Sequence, residues 1–350
     1  VTALQNRITA MEDGIATAVF ATGMAAIAST MLSLLRKGDH IVSSAFLFGN
    51  TNSLFGTFQN LGIDVTFVDA TDINEVKSAI RENTRLVFVE TIANPVTQIA
   101  DLAEIGKLCN SENLLYCVDN TMTSPNLFRP KSVGASFSVN SLTKYIGGHG
   151  NALGGAITDT GLYDWTGFAN IYDNYKNQDS ALWGITQVKK KGLRDIGASL
   201  GPEAAHHLAV GSETLSLLMD KACSNAQSVA EFCAQHPKVN QVYYPGLPSH
   251  PQHARAQELF DGFGSIMSID LEDGVDCFDV LNAMDTVVSS SNLGDTRTLA
   301  IPVAHTIYYE MGAERRASMG IADSMIRFSI GRSEERRVGK ECRSRWWAYH

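Results

Sequence analysis

The 350-residue sequence has no long apolar run, no paired-cysteine motif and no excess of positive charge, and each absence removes a class of function. Its most apolar stretch, Met24 to Leu35, is shorter than the roughly 20 residues that span a bilayer, and it contains Ser and Thr, so no membrane span is expected. The six cysteines (Cys109, Cys117, Cys223, Cys233, Cys277, Cys342) form no Cys-x-x-Cys pair and no His-rich metal spacing. Reduced thiols in a cytoplasm, and no metal, are the expectation. With 28 Lys and Arg against 37 Asp and Glu, the net charge of −9 argues against nucleic acid or an anionic membrane as the main partner. A small-molecule substrate fits better. The chain opens VTALQNRITAMEDG, a helical pattern already in progress, without Met or a charged-then-apolar signal region, so the true N-terminus is expected to be missing.

What remains is an ordinary globular composition, 44% hydrophobic and 19% charged, in a length that suits one large and one smaller domain. The change of pattern places the larger unit over 1–200 and the smaller over 201–331. The run 332–350 (RSEERRVGKECRSRWWAYH) has neither helical nor strand periodicity and resembles a translated sequencing adapter, so it is expected to be a non-native tail. Leaving it out makes the remainder more acidic.

Between Gly62 and Ala156, β-rich runs (IDVTFVDA, TRLVFVET, LLYCVDN, ASFSVNSL) alternate with helical ones (DINEVKSAIREN, DLAEIGKLCNSEN). That rhythm predicts βαβ units around a parallel sheet. Ligands bind at the carboxyl ends of such strands, where Glu90, Thr91, Asp119, Asn120, Ser141, Thr143 and Lys144 should converge. Upstream, VFATGMAAIASTMLSLL reads as a strand, a Thr22-Gly23 turn and a helix whose first amides could take a phosphate. After Gly201 a long helical run, HLAVGSETLSLLMDKACSNAQSVAEFCAQ, precedes strands at VNQVYYP, GSIMSIDLE, TVVSSS and SMIRFSIG and a helix around DVLNAM.

Single residues are less specific. Lys144 follows a strand and precedes a glycine-rich segment, where partial desolvation would lower its pKa and free its amine, although a lone lysine is usually a solvated charge. Asp119 ends the apolar run LLYCV and needs either a positive partner or a role capping the turn before Pro125. His149, His305 and the pair His206-His207 read as structural or surface residues, Asp295 and Arg297 as a local pair, and Lys189 to Lys191 as an exposed face.

Six blocks in one order make the combination specific: ATGMAAI (21–27), VETIANP (89–95), VDNTMTSP (118–125), SLTKYIGGHG (141–150), LGDTRTLA (293–300) and IRFSIG (326–331). From Ala3 to Gly331 the chain resembles the Cys/Met-metabolism, or trans-sulfuration, family of enzymes that use pyridoxal 5′-phosphate (PLP). The resemblance implies an α/β, fold type I (aminotransferase-like) large domain with a mixed, mostly parallel sheet, and a smaller C-terminal α/β domain. It implies that the amides of Gly23 and Met24 and the hydroxyls of Ser141 and Thr143 hold the cofactor phosphate. Asp119 would pair with the pyridine nitrogen, beside Thr121, and Lys144 would carry PLP as a Schiff base. Asn94 would lie near the ring oxygen, Glu90 would support the site, Phe48 would stack on the ring, and Arg327 with Asn292 would bind the substrate.

The chain also departs from the family pattern. Relatives usually have Tyr where Phe48 stands, and Phe48 cannot pass a proton. Asn50 stands where some gamma-lyases have Cys, and an N-terminal Tyr and Arg that clamp the neighbouring subunit's phosphate are missing from this sequence. The implied function is gamma-replacement on an O-acylhomoserine by a thiol, with cysteine, homocysteine or cystathionine as related amino-acid substrates. The alternatives are a gamma- or beta-lyase, an aminotransferase of the same fold, or a non-catalytic paralogue. A cytoplasmic homodimer or homotetramer with shared sites is expected, without nucleic-acid or membrane partners.

Overall fold

The computed structural model describes residues 1–177 and 179–332. The tail proposed over 332–350 therefore lies, beyond Arg332, outside the described residues. The chain begins with helix α1 (Thr2–Met11), strand β1 (Ala16–Phe20), α2 (Gly23–Leu34) and β2 (His40–Ser44). It continues with α3 (Gly49–Asn60), β3 (Asp64–Val68), α4 (Ile73–Ala79), β4 (Thr84–Glu90), α5 (Leu102–Ser111) and β5 (Leu115–Asp119). A short α6 (Ser124–Leu127) leads to β6 (Phe137–Asn140) and β7 (Gly155–Asp159).

These strands form one seven-stranded sheet in the order β1-β7-β6-β5-β4-β2-β3. Strand β7 runs against both its neighbours, and the pairs from β6 across to β3 are parallel. The sheet is therefore mixed and mostly parallel. Its central strands are buried on both faces: β4 carries Leu86 to Val89 and β5 carries Leu115 to Val118, all nearly inaccessible. Continuous β-branched and apolar runs are what a strand covered by helices on both sides requires.

Periodicity missed three strands. His40–Ser44 carries Ser43 and Ser44, both buried, in β2. Gly155–Asp159, in β7, opens with a glycine because a Cβ there would lie 2.1 Å from the carbonyl oxygen of Thr22. The third is in the second sheet, below.

Past the large sheet come α7 (Trp183–Gln187), a π-helical turn (Val188–Arg194), α8 (Pro202–Ser212) and α9 (Leu215–Cys233). The single long helical run expected after Gly201 is thus two helices. Gly211, at the end of α8, lies so close to the Lys144 loop that a Cβ would meet the Gly147 carbonyl oxygen at 2.0 Å. The first helix ends one residue later, at Ser212, and α9 starts after Thr214. The lysine run is likewise not one exposed face: Lys189 is half-buried, with its charge disfavoured by desolvation and supported by Asp159, while Lys190 is exposed.

The second sheet has five strands in the order β10-β11-β12-β9-β8. They are β8 (Val239–Tyr243), β9 (Ile266–Leu271), β10 (Val288–Ser289), β11 (Leu299–Pro302) and β12 (Ile326–Ser329), with α10 (His253–Leu259), α11 (Cys277–Asn282) and α12 (Ala313–Ser318) between them. Strand β11, the third one missed, is only four residues long and is fully buried. A division near residue 200, which we propose for the chain, separates the two sheets but not their packing. Ala205, Leu208, Leu215 and Met219 of α8 and α9 share one apolar cluster with Val87, Val118 and Ala156 of the large sheet.

Candidate active site

Parallel pairing brings the carboxyl ends of β4, β5 and β6 to one edge, with Glu90 opposite Asp119 and Asp119 opposite Val139. A cavity of about 420 Å³ opens there, between this edge and the second sheet. It gathers Gly23, Met24, Phe48, Glu90, Asn94, Asp119, Thr121, Ser141, Lys144, Asn292 and Arg327, that is, every expected site residue except Thr91, Asn120 and Thr143.

Thr91 bonds to Thr123, and Asn120 to Glu12 and Phe128; neither lines the cavity, and nor does Thr143. Its hydroxyl donates to the Gly154 carbonyl at 3.3 Å and accepts the Gly154 amide at 3.0 Å, so it braces the loop behind Lys144 and does not form the cavity wall. The family resemblance had placed it on the phosphate.

Lys144 reaches the cavity from a turn just after β6. Its Nζ donates to Asn292 Oδ1 at 2.6 Å. Desolvation, with the nearby Arg327 guanidinium, pushes the Lys144 pKa down to about 8, so roughly a tenth of the amine is uncharged at pH 7. Arg327 comes from β12 and is 1% exposed. Its Nη2 donates to the carbonyls of Ser291 (3.2 Å) and Asn292 (2.9 Å), and burial lowers its pKa to about 10. Asn292 thereby touches both basic groups, through its side chain and its backbone.

The acidic side is a pair at neighbouring strand ends. Asp119 accepts the Thr121 amide at 2.9 Å, which is the turn-capping bond, and still faces the cavity; burial raises its pKa. Glu90 accepts the Phe48 amide at 2.7 Å, and burial, then the Asp119 charge, pushes its pKa up to about 8. Two buried carboxyls so close cannot both ionise cheaply, and Glu90 is the one that stays protonated at neutral pH.

PLP fits these residues on several observations. Among the described residues Asp119 has no ion pair, and a protonated pyridine nitrogen would supply one. The Thr22 hydroxyl caps α2 by accepting the Ala25 amide at 3.0 Å, which leaves the first-turn amides of Gly23 and Met24 at the cavity. Gly23 suits this close approach, because a Cβ there would press on the Ser141 Cβ at 3.0 Å. Asn94 Oδ1 and Arg327 Nε are buried without a hydrogen-bond partner among the described residues, an acceptor and a donor awaiting a polar ligand.

Sequence reasoning missed part of the wall. Tyr308 and Ile307 line the cavity, with the Tyr308 hydroxyl donating to the Asn94 carbonyl at 2.6 Å. They arrive from the turn between two 3₁₀ segments after β11 (Val303–His305 and Tyr309–Met311), and no motif marks them. Met122 and Leu293 also line it; each lies inside a quoted block but has an apolar side chain that carries no signal of its own. His149 and His305 stay outside, each bonded to a backbone carbonyl, and His206 and His207 are exposed on α8. Asp295 and Arg297 do pair, at 2.8 Å. Among the described residues no cluster could hold a metal, no helix is long and apolar enough to cross a membrane, and five cysteines are free.

A family model described as "Cys/Met metabolism PLP-dependent enzyme" matches residues 1–337. An L-methionine gamma-lyase of Fusobacterium nucleatum subsp. polymorphum is 38% identical over 94% of this chain and 79% of its own. A homocysteine synthase of Schizosaccharomyces pombe is 34% identical, covering 93% and 80%, and an O-acetyl-L-homoserine sulfhydrylase of Leptospira meyeri is 33% identical, covering 94% and 79%. Among solved structures, a cystathionine gamma-lyase from Lactobacillus plantarum complexed with L-serine superposes with a TM-score of 0.89 at 29% identity, over 99% of this chain and 85% of that one. The α/β architecture is that of fold type I. The chain belongs to the Cys/Met-metabolism family of PLP-dependent enzymes, and it is an enzyme of sulfur amino-acid metabolism that uses PLP.

Proposed function

We propose that this enzyme catalyses gamma-replacement on an O-acylhomoserine by a thiol. The observation that carries the reading is the set of apolar side chains, Ile27, Phe48, Met122, Leu293, Ile307 and Tyr308, that stand in the cavity wall beside its charged groups. Such a wall keeps water from the reacting carbon and accepts an uncharged substituent. The two cations that line the cavity, Lys144 and Arg327, are both committed, so nothing there matches a second carboxylate.

When bound, PLP supplies an electron sink for charge developed at Cα. The chain's residues do the rest. Arg327 holds the α-carboxylate with its free donors, and Asp119 holds the positive charge of the ring. Lys144, uncharged at moderately alkaline pH, takes the proton from Cα and moves a proton at Cβ, so that the bond from Cγ to its substituent can break. Phe48 packs without exchanging a proton, and a thiol then adds at Cγ.

A lyase is the second reading, favoured by the methionine gamma-lyase relative, and it differs only in letting water end the reaction. We place the working form as a cytoplasmic homodimer or homotetramer. The test is an absorbance spectrum of the PLP-loaded protein before and after O-acetylhomoserine plus a thiol, beside Lys144→Ala. A visible band lost in Lys144→Ala, with a thioether product, supports replacement. Release of 2-oxobutanoate alone moves the assignment to lyase, and no lysine-dependent band removes Lys144 from its role.

A further inference from the structure

The layer behind the cavity holds a buried carboxyl that the reaction does not use. Glu12, the residue that ends α1, is 1% exposed. Its Oε1 accepts the side-chain amides of Asn120 at 3.0 Å and Asn140 at 2.5 Å. Both asparagines are themselves buried. Asn120 follows Asp119, and Asn140 precedes Ser141. Side chains alternate along extended chain, so these asparagines project to the layer of α1 while Asp119 and Ser141 face the cavity.

The two strand ends are joined at several further points. The Asn120 amide donates to the Val139 carbonyl at 2.8 Å, and the Ser141 amide donates to the Thr121 hydroxyl at 2.8 Å. Asn120 also donates to the Phe128 carbonyl and accepts the Thr123 hydroxyl. Behind them, Arg129 Nε donates to the Met11 carbonyl at 2.8 Å and fixes the end of α1. Glu12 Oε2 and Asn140 Oδ1 are buried without partners among the described residues. A carboxylic acid brings its own hydrogen to this cluster, and burial favours that neutral form.

We propose that Glu12 is a positioning residue for the cofactor: as a neutral carboxyl it clamps the ends of β5 and β6 and so sets the spacing between Asp119 and Ser141. One side chain thereby links the residue expected at the ring nitrogen to the residue expected at the phosphate. The inference needs the chain to bind PLP, but it is indifferent to replacement or elimination.

The experiment strips PLP from the purified protein and titrates it back, following absorbance, in wild type, Glu12→Met, Glu12→Gln and Ile8→Ala. Ile8 is buried on the same helix, so its variant loosens the docking of α1 without touching the clamp. Unfolding midpoints of the stripped proteins are recorded alongside. Glu12→Met is expected to weaken PLP binding by about tenfold or more beyond Ile8→Ala, whereas Glu12→Gln, which keeps the acceptor and is always neutral, stays within about threefold of wild type. A Glu12→Met affinity no weaker than that of Ile8→Ala would show that the carboxyl only stabilises the helix. A Glu12→Gln variant as weak as Glu12→Met would equally overturn the neutral clamp.

Discussion

Asn292 fixes the chemistry of Lys144 more directly than any neighbour of the lysine in sequence. A neutral acceptor at 2.6 Å orients the amine without adding charge, and burial beside Arg327 then holds its pKa near 8 instead of 10.5. The uncharged amine is the form that would capture PLP, so the rate of PLP capture by the stripped protein should rise with pH through an inflection near 8. Asn292→Asp places a carboxylate on the same atom and should move that inflection upward by one unit or more, which stopped-flow absorbance across pH 6 to 10 would read. An unchanged inflection would mean that Asn292 does not contact the amine in solution. This relation was half legible: Lys144 and Asn292 stand inside or beside recognisable blocks, but they are 148 positions apart and nothing in either block shows that they touch.

At the scale of elements, the ends of β4 and β5 carry a built-in instability. Glu90 ionises near 4.5 in the unfolded chain and near 8 in the fold, where burial and Asp119 oppose its charge. A folded pKa raised above the unfolded value favours folding fully only below pH 4.5, and that contribution is lost as pH rises through about 8. Glu90→Gln should therefore narrow the loss of stability of the stripped protein between pH 5 and 8.5, measured as the urea midpoint at each pH. If wild type and variant fall in parallel, Glu90 is not the group responsible. A second element-level device is the contact of α8 with the Lys144 loop. Gly211→Ala forces a methyl against the Gly147 carbonyl, so it should cost about 1–3 kcal/mol in chemical unfolding and weaken PLP retention together. The strand ends were readable, because each apolar run stops at a polar residue. The Gly211 contact was not: within a helical pattern a glycine says only that the helix is weaker there.

For the whole molecule, the cavity belongs to neither sheet alone. Asp119 and Glu90 end strands of the large sheet and Lys144 follows its β6, while Arg327 lies on β12 and Asn292 and Tyr308 on loops beside β10 and β11, so both sheets must be correctly seated before a substrate carboxylate and its reacting carbon can be held together. The parallel pairing followed from alternation in sequence, but the strand order, with β2 between β4 and β3, did not. Nor did the packing of the second sheet, because short strands such as β11 carry no period and long-range bonds such as Tyr308 to Asn94 leave no local trace. That assembled cavity sets the last prediction. It provides one guanidinium for one carboxylate, and much of its remaining lining is apolar. A second carboxylate would lose its hydration without gaining a partner, a loss of several kcal/mol. O-acetylhomoserine should accordingly exceed O-succinylhomoserine in kcat/KM by about 100-fold or more, which corresponds to about 2.7 kcal/mol. Steady-state kinetics with each ester and the same thiol decide it. Ile307→Arg, which sets a cation in the wall, should narrow the gap by accepting the succinyl carboxylate. Equal use of both esters by the wild type would show that the succinyl group finds a cation outside this cavity wall, and the neutral-substituent reading would fall while the PLP chemistry of Lys144 stood.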